Sequence, residues 1–441
     1  MRDRPSDDEN EAAQPASKNL VDVAMGGGLL AAGDLFNYLS RFLAALILAR
    51  ALGADEYGRY VLAVSLIFLT AGLGNLGLDA AMERYVAVLR RRGDGPAVWG
   101  TLQIGLGVGI IAGLAVSTVL FFGADTISEA IFDDDRLTPL LRVGAFVVPV
   151  LISTSLLASV VRGFKRMGQS ALAEDFIQPV VRLALVAIIA ISGLNPTIAL
   201  IIFGVSYLAA VVVLIGLVHR LHPLNLPLRT GDRHVKEIAA FSFPFWFAGV
   251  LNQIRKNVQP ILLGMFSTIT SVGIISLVNS ANLLGRTAVM ATRTSLRPTL
   301  AETLDEGDHE QTLHLYQATT RWVFTANVPA FLIMVLYPVA ILSLFGESFE
   351  AGATALVIVV FAELASSATG TSGTLIDMSG LNVVKTVNKV FDVAFTLAVN
   401  VLFIAQWGLI GAAFAVLVSR TVVQVVRVVE VRIILGLHPY N

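Results

Sequence analysis

The residues of this sequence that could do chemistry sit where charge is costly, inside long apolar stretches. In the first stretch Asp34, Asn37, Tyr38 and Arg41 fall at offsets of three, four and seven, and in the seventh Asn252, Arg255, Lys256 and Gln259 repeat that spacing. Such offsets place all four on one helical face, a polar stripe on an otherwise apolar rod. The fifth stretch adds Glu174, Asp175, Gln178 and Arg182, and the eighth adds Asn279, Asn282 and Arg286. Ionisable groups at membrane depth usually face a bundle interior or a wet cavity. A guanidinium fork donates two parallel hydrogen bonds to a phosphate, so the stripes are suited to an anionic head group. The same residues could instead pair internally, Asp34 with Arg41 and Asp175 with Arg182, or snorkel to an interface. Arg420, Arg427, Glu430 and Arg432, nearer the end of the last stretch, fit snorkelling or local pairing better. Asp34, Glu363 and Asp392 are candidates for proton or sodium coupling, because a buried carboxylate can titrate or coordinate.

Soluble-type chemistry is missing from the sequence. It has no Gly-rich phosphate loop with its Lys, no His pair at metal spacing and no nucleophile elbow. There are no cysteines, which removes thiolate ligands and thiol nucleophiles. No cofactor is implied, and an enzyme is not expected. His219, His222, His234, His309 and His314 fall in polar connections.

The elements that must position these residues are helices in lipid. Of the 441 residues 55% are hydrophobic and 14% charged, far below the roughly one quarter charged residues of a soluble domain. A net charge of −1 gives no sign of nucleic-acid binding. Apolar spans of bilayer length recur near 27–49, 60–81, 97–122, 138–161, 172–192, 197–218, 240–265, 271–292, 322–345, 353–376, 387–406 and 408–434. Twelve membrane helices are expected. Arg90, Arg91, Arg92, Lys165, Arg166, Arg229 and Arg233 gather in loops on one side, and the Asp133–Asp135 run lies on the other. Positive charge marks the cytoplasmic side, so both termini are expected there, in the cell membrane. Residues 1–25 read as a disordered tail, and 299–321 as an amphipathic segment along the cytoplasmic face. Pro149, Pro179, Pro244, Pro260 and Pro329 mark spans expected to bend, while Pro298 ends a helix.

The chain also repeats itself. An offset of 214 sets "RFLAALILARALGADEYGRYVLAV" from Arg41 against "RKNVQPILLGMFSTITSVGIISLV" from Arg255. Residues 26–222 and 240–441 therefore read as two six-helix bundles of the same orientation, joined by a linker at 223–239 and enclosing a central cavity.

The segments "ARALGADEYGRY" (49–60), "FSFPFWFAGVLNQIRKNVQPILLGMFSTITSVGI" (241–274), "RPTLAETLDEGDHEQTLHLY" (297–316) and "LFGESFEAGATAL" (344–356) resemble the oligosaccharide flippases of polysaccharide biosynthesis. Those belong to the MATE-like multidrug/oligosaccharidyl-lipid/polysaccharide exporter superfamily. The resemblance spans residues 20–437 and implies a V-shaped pair of six-helix bundles. Such a protein moves a lipid-linked oligosaccharide between leaflets by alternating access, with the bilayer and that lipid as its only implied partners. Arg41, Arg255 and Lys256, helped by Arg182 and Arg286, would engage the phosphate, and Asn37, Tyr38, Asn252 and Gln259 the sugar. A monomer is expected, with coupling to H+ or Na+ left open. Many relatives continue with two further helices, whereas this sequence ends at "LGLHPYN". The alternatives are a cation-coupled multidrug exporter of the same superfamily and a membrane-embedded glycosyltransferase or polymerase.

Overall fold

A computed structural model describes residues 7–221, 235–282, 303, 309–370, 372–379 and 381–439, with side chains from residue 36 onward except at 235, 236 and 382. Among the described residues every regular element is a helix. In lipid that is what backbone chemistry requires, since no water is available to satisfy free N–H and C=O groups.

Among the described residues seven helical rods are long and apolar enough to cross a membrane. Two of them are double. Helix α1 (Asp7–Gly74) is divided at Gly53 (φ 73°, ψ 173°), and α14 (Asn382–Leu435) at Gly408 (φ 51°, ψ −122°). Only glycine adopts such backbone angles without steric penalty. The last turns before Gly53 and the first after it are helical, so one residue separates two rods. The expected boundary between spans at 50–59 thus contracts to a single glycine.

The remaining elements of the first half are α2 (Leu78–Arg91), α3 (Gly95–Thr126), α4 (Leu137–Gly163), α5 (Met167–Ala171), α6 (Gln178–Ala190) and α7 (Pro196–Leu221). A π-helical stretch, Leu172–Ile177, joins α5 to α6. It stands just ahead of Pro179, which lies in the first turn of α6 and so breaks no interior hydrogen bond. In the second half lie α8 (Val235–Phe266), α9 (Ile269–Asn282), α10 (His309–Leu336), α11 (Pro338–Ser343), α12 (Ala353–Ala368) and α13 (Ser372–Met378), followed by α14.

Helix α1 begins at Asp7, where acidic Asp7, Asp8 and Glu9 favour a helix N-terminus and Ala12 and Ala13 propagate it. Several expectations are corrected. Residues 309–321 are the opening turns of α10, continuous with its apolar part, so no separate surface helix forms there. The same helix ends at Leu336, short of the expected 345, because Pro338 disfavours helix at Tyr337. His219 lies in α7, and His309 and His314 in α10. Residues 222–234 and Pro298 lie outside the described residues.

Internal repetition is visible in the breaks. The interruption at Gly53 recurs after Phe266, and the positive-φ turn at Gly193 recurs at Gly408. The first-half helices pack chiefly on one another, α4 against α3 and α7; in the second half α12 packs on α14 and α10. Between the halves, α1 and α2 lie along α8.

The two halves touch in two places: at the α1–α2 turn, where a Cβ on Gly77 would stand 2.3 Å from the Ser242 carbonyl oxygen of α8, and at the end carrying Asp55, Glu56 and Asp134. There Gly58 and Gly273 let backbones touch. A Cβ on Gly58 would stand 2.0 Å from the Ile269 carbonyl oxygen, and one on Gly273 would stand 2.2 Å from that of Ala54. Ser348 Oγ accepts from the Ala54 N–H at 3.2 Å, Arg50 Nε donates to the Leu344 carbonyl at 2.5 Å, and Thr270 Oγ1 donates to Asp55 at 3.3 Å. Phe345 and Phe349 pack edge-on against Phe42 and Tyr57.

Candidate functional site

Toward the opposite, Arg-rich end the halves enclose a cavity of about 460 Å³. Its first wall comes from the end of α1, the start of α2, α4, the π-helical stretch and α7; its second comes from α8 and the start of α14. The α1–α2 turn forms because Leu76 and Gly77 take positive φ, and the Asp79 carboxylate accepts from the Ala80 N–H at 2.9 Å. Asp79 and Glu174 line the first wall with Asn75, Ser155 and Tyr207, while the second carries Lys256, Lys389, Asn252 and Gln253. The cavity is thus acidic on one side and basic on the other. Cationic groups from both halves were expected.

The sequence-derived residues distribute as follows. Arg41 is exposed on α1, within electrostatic range of Lys256 and of Tyr207. Arg255 and Lys256 are exposed on α8, and Arg255 is in turn within range of Lys256. Among the described residues no carboxylate lies within 4.0 Å of Arg41, Arg255 or Lys256. Asn252 lines the cavity, and Tyr38 is half-buried on α1. Asn37 is buried and donates to Asp175 at 2.7 Å. Arg182 donates to the Tyr60 hydroxyl at 2.8 Å and lies over the Phe203 ring at 5.3 Å. The Asp175–Arg182 pairing weighed above is therefore not made. Seven residues of helix rise about 10 Å, which puts those side chains beyond ion-pair contact. The Asp34 side chain and Arg286 lie outside the described residues.

Gln259 Nε2 donates to the Ala412 carbonyl at 2.9 Å, and its oxygen accepts from Asn279 at 3.1 Å. With Arg255 and Lys256 it borders a second chamber of about 340 Å³ between α8, α9, α12 and α14. Glu363 is buried there in an ion pair with Arg420 and accepts from Asn282 at 3.5 Å. Asp392 accepts from Thr396 at 3.3 Å and stands 3.8 Å from Arg427. Local pairing therefore does hold Arg420 and Arg427. Glu430 accepts from Asn388.

Three features were not singled out from sequence. Arg162 bridges Glu83 and Glu174, at 3.0 Å each, and donates to Ser159 at 2.7 Å. Arg59 is buried among Asp55, Glu56 and Asp134 at 2.6–2.7 Å. The second chamber is the third. The spacing rule applied above to α1 and α8 would have found its wall, since Asp392, Thr396 and Asn400 recur every fourth residue.

A family described as "Polysaccharide biosynthesis protein" matches residues 23–304. The chain belongs to that family. Stage V sporulation protein B of Bacillus subtilis (strain 168) is 30% identical over 183 residues, which is 41% of this chain and 33% of that protein. The match therefore spans about a third of the length of that relative. Among solved structures, an inward-facing multidrug resistance MATE family transporter of the MOP superfamily superposes with a TM-score of 0.76 at 13% identity, covering 91% of this chain and 94% of that one. The lipid II flippase MurJ, in an inward closed conformation, gives a TM-score of 0.71 at 12% identity over 92% and 87%. This member of the polysaccharide biosynthesis family is therefore a multi-pass helical membrane protein with a MATE-type fold.

Proposed function

We propose that the chain is a flippase that carries a lipid-linked oligosaccharide from the cytoplasmic to the outer leaflet of the cell membrane by alternating access. The observation that carries this reading is Lys256 on the wall of the cavity between the halves, with Arg41 and Arg255 within electrostatic range of it and no carboxylate in ion-pair contact with any of the three among the described residues. Unpaired cations in a partly dehydrated site call for an anion from outside the protein. A phosphate or pyrophosphate linking glycan to polyprenyl supplies one, and two parallel guanidinium bonds would hold it. Asn252, Asn75 and Ser155 border the cavity and offer hydrogen bonds to sugar hydroxyls, while the lipid tail stays in the bilayer. Tyr38 and Gln259 belong to the same polar stripes, and Arg182 adds positive charge behind Tyr60.

Twelve passes follow in this reading. Each half of α1 and α14 counts as one, and the rods 167–190, α8 and α9 complete the set beside the five single apolar spans. The bundles divide at the 223–239 linker. The Arg-rich end is cytoplasmic and both termini lie on that side. The contacts at the Asp55 end close the outer side, and the cavity would load from the cytoplasm as the contact of Gly77 with α8 parts. A cycle would open the Gly58–Gly273 contact and close the Arg-rich end. Asp34, Glu363 and Asp392 are proposed as the acidic groups through which H+ or Na+ could bias that exchange.

The test is a proteoliposome assay with a fluorescent lipid-linked oligosaccharide and a membrane-impermeant quencher. Protein-dependent exposure of the probe, lost in Arg41→Ala and Arg255→Ala variants that remain folded, supports the reading. Asp79 and Glu174 on the cavity wall favour one alternative, export of organic cations. Efflux of a cationic dye that fails in Glu174→Gln, without any lipid movement, would establish it instead.

A further inference from the structure

The second chamber lies inside the C-terminal bundle and is distinct from the space between the halves; Lys256 borders both. Its described lining carries Arg255, Lys256, Arg420 and Arg427 against one carboxylate, Asp392, with Glu363 behind Arg420 as a second. The positive charge is left in excess. Asp392 meets Arg427 only at 3.8 Å, a looser contact than the 2.6 Å pairs around Arg59. An excess of cations in a partly buried chamber favours an anion and opposes a bare metal cation.

The hydrogen-bonding groups narrow the ligand further. Asn400 and Gln424 line the chamber and are 3% and 8% exposed. Their amide nitrogens are engaged, Asn400 with the Thr396 carbonyl at 2.8 Å and Gln424 with Ser366 at 2.8 Å. Their carbonyl oxygens, Asn400 Oδ1 and Gln424 Oε1, are buried and have no donor. A buried acceptor without a donor destabilises the protein unless a ligand supplies one. An inorganic oxyanion would satisfy the arginines but offers few or no donors to these oxygens. A group carrying both hydroxyls and an oxyanion answers both.

We propose that this chamber is a binding site for an anionic sugar, its carboxylate or phosphate held by Arg427 and its hydroxyls donating to Asn400 and Gln424. The site gives the transporter a means of selecting charged glycans over neutral ones. That selection rests on the flippase reading above; the site itself rests on the charge and the unpaired acceptors.

The experiment is calorimetric titration of the full chain in nanodiscs with glucuronate, glucose 1-phosphate, inorganic phosphate and glucose. Glucuronate or glucose 1-phosphate should bind at least tenfold more tightly than either inorganic phosphate or glucose, and which of the two binds better identifies the anion. Arg427→Gln should weaken binding at least tenfold. Asp392→Asn should tighten it severalfold by removing the opposing carboxylate, an outcome misfolding cannot mimic. No binding, equal binding of glucose, weaker binding in Asp392→Asn, or a loss on Lys389→Gln but not on Arg427→Gln would overturn the proposal. Binding that follows the chamber variants without lipid movement in proteoliposomes would sink the flippase reading and leave the site standing. Lipid movement in a protein that binds no anionic sugar would do the reverse.

Discussion

The two halves of this molecule repeat one helical pattern but treat their charges differently. In the first half the arginines between the helices are occupied. Arg59 is enclosed by three carboxylates, Arg162 bridges two, and Arg142 pairs with Asp125 at 2.7 Å. Arg182 rests on Tyr60 and Phe203. In the second half Arg255 and Lys256 have no carboxylate in contact among the described residues, and Asp392 holds Arg427 at arm's length. Only Arg420 is tightly paired. One half thus uses charge to fasten helices, while the other leaves positive charge facing open space. Arg41 of the first half also lacks a carboxylate in contact among the described residues, and it lies within electrostatic range of Lys256 in the second. A charge held without a partner in such surroundings is the stronger pointer to function.

That contrast can be broken experimentally. The largest effect is expected at the contact joining the halves. The Gly58→Leu variant would drive a side chain into the Ile269 carbonyl, forcing the halves apart or preventing folding, because overpacking of this severity costs more than about 3 kcal/mol. Thermal unfolding in detergent should fall by many degrees, and a Gly58→Leu protein as stable as wild type would contradict the interface. The chain has no cysteines, so a cross-link reports cleanly. Ala54→Cys combined with Ser348→Cys should form a disulfide that stops transport and should release it on reduction. Continued transport in the cross-linked protein would mean that this end need not open.

Next in size is the phosphate-binding effect. Each charge-assisted bond is worth about 1.5–3 kcal/mol, so Arg41→Ala and Arg255→Ala should each slow transport roughly 10- to 150-fold with little change in unfolding temperature. Arg162→Ala should do the opposite, leaving Glu83 and Glu174 to repel each other. Its stability should drop by about 1–2 kcal/mol, less than for a fully buried pair because Arg162 is 29% exposed. Glu83→Gln in that background should recover part of the loss. The smallest effect belongs to Arg142→Ala, an exposed pair expected to contribute less than about 0.5 kcal/mol.

Much of the architecture was legible because lipid imposes it. Apolar runs of bilayer length had to be helices, and helical spacing put Asn252, Arg255, Lys256 and Gln259 on one face of α8. The stripe on α8 reaches both cavities. What escaped were features made by distant parts of the chain. Asn37 meets Asp175 and Arg182 meets Tyr60, across 138 and 122 residues, whereas the pairings considered from sequence joined residues two turns apart on one helix. Glu83 sits on α2, a helix that sequence analysis merged into the loop after the second span; its strongly two-faced pattern was the available signal. The reversals at Gly53 and Gly408 depend on backbone angles that no side-chain periodicity reports. Asp79 reaches the cavity only because the α1–α2 turn swings it there.

The most direct test compares initial rates of lipid-linked oligosaccharide movement for wild type, Arg255→Lys and Arg255→Ala in matched proteoliposomes. If unpaired positive charge on α8 holds the phosphate, Arg255→Lys should retain a substantial part of the rate and Arg255→Ala should lose at least nine tenths of it. Equal rates in all three, with the proteins equally folded, would contradict the account.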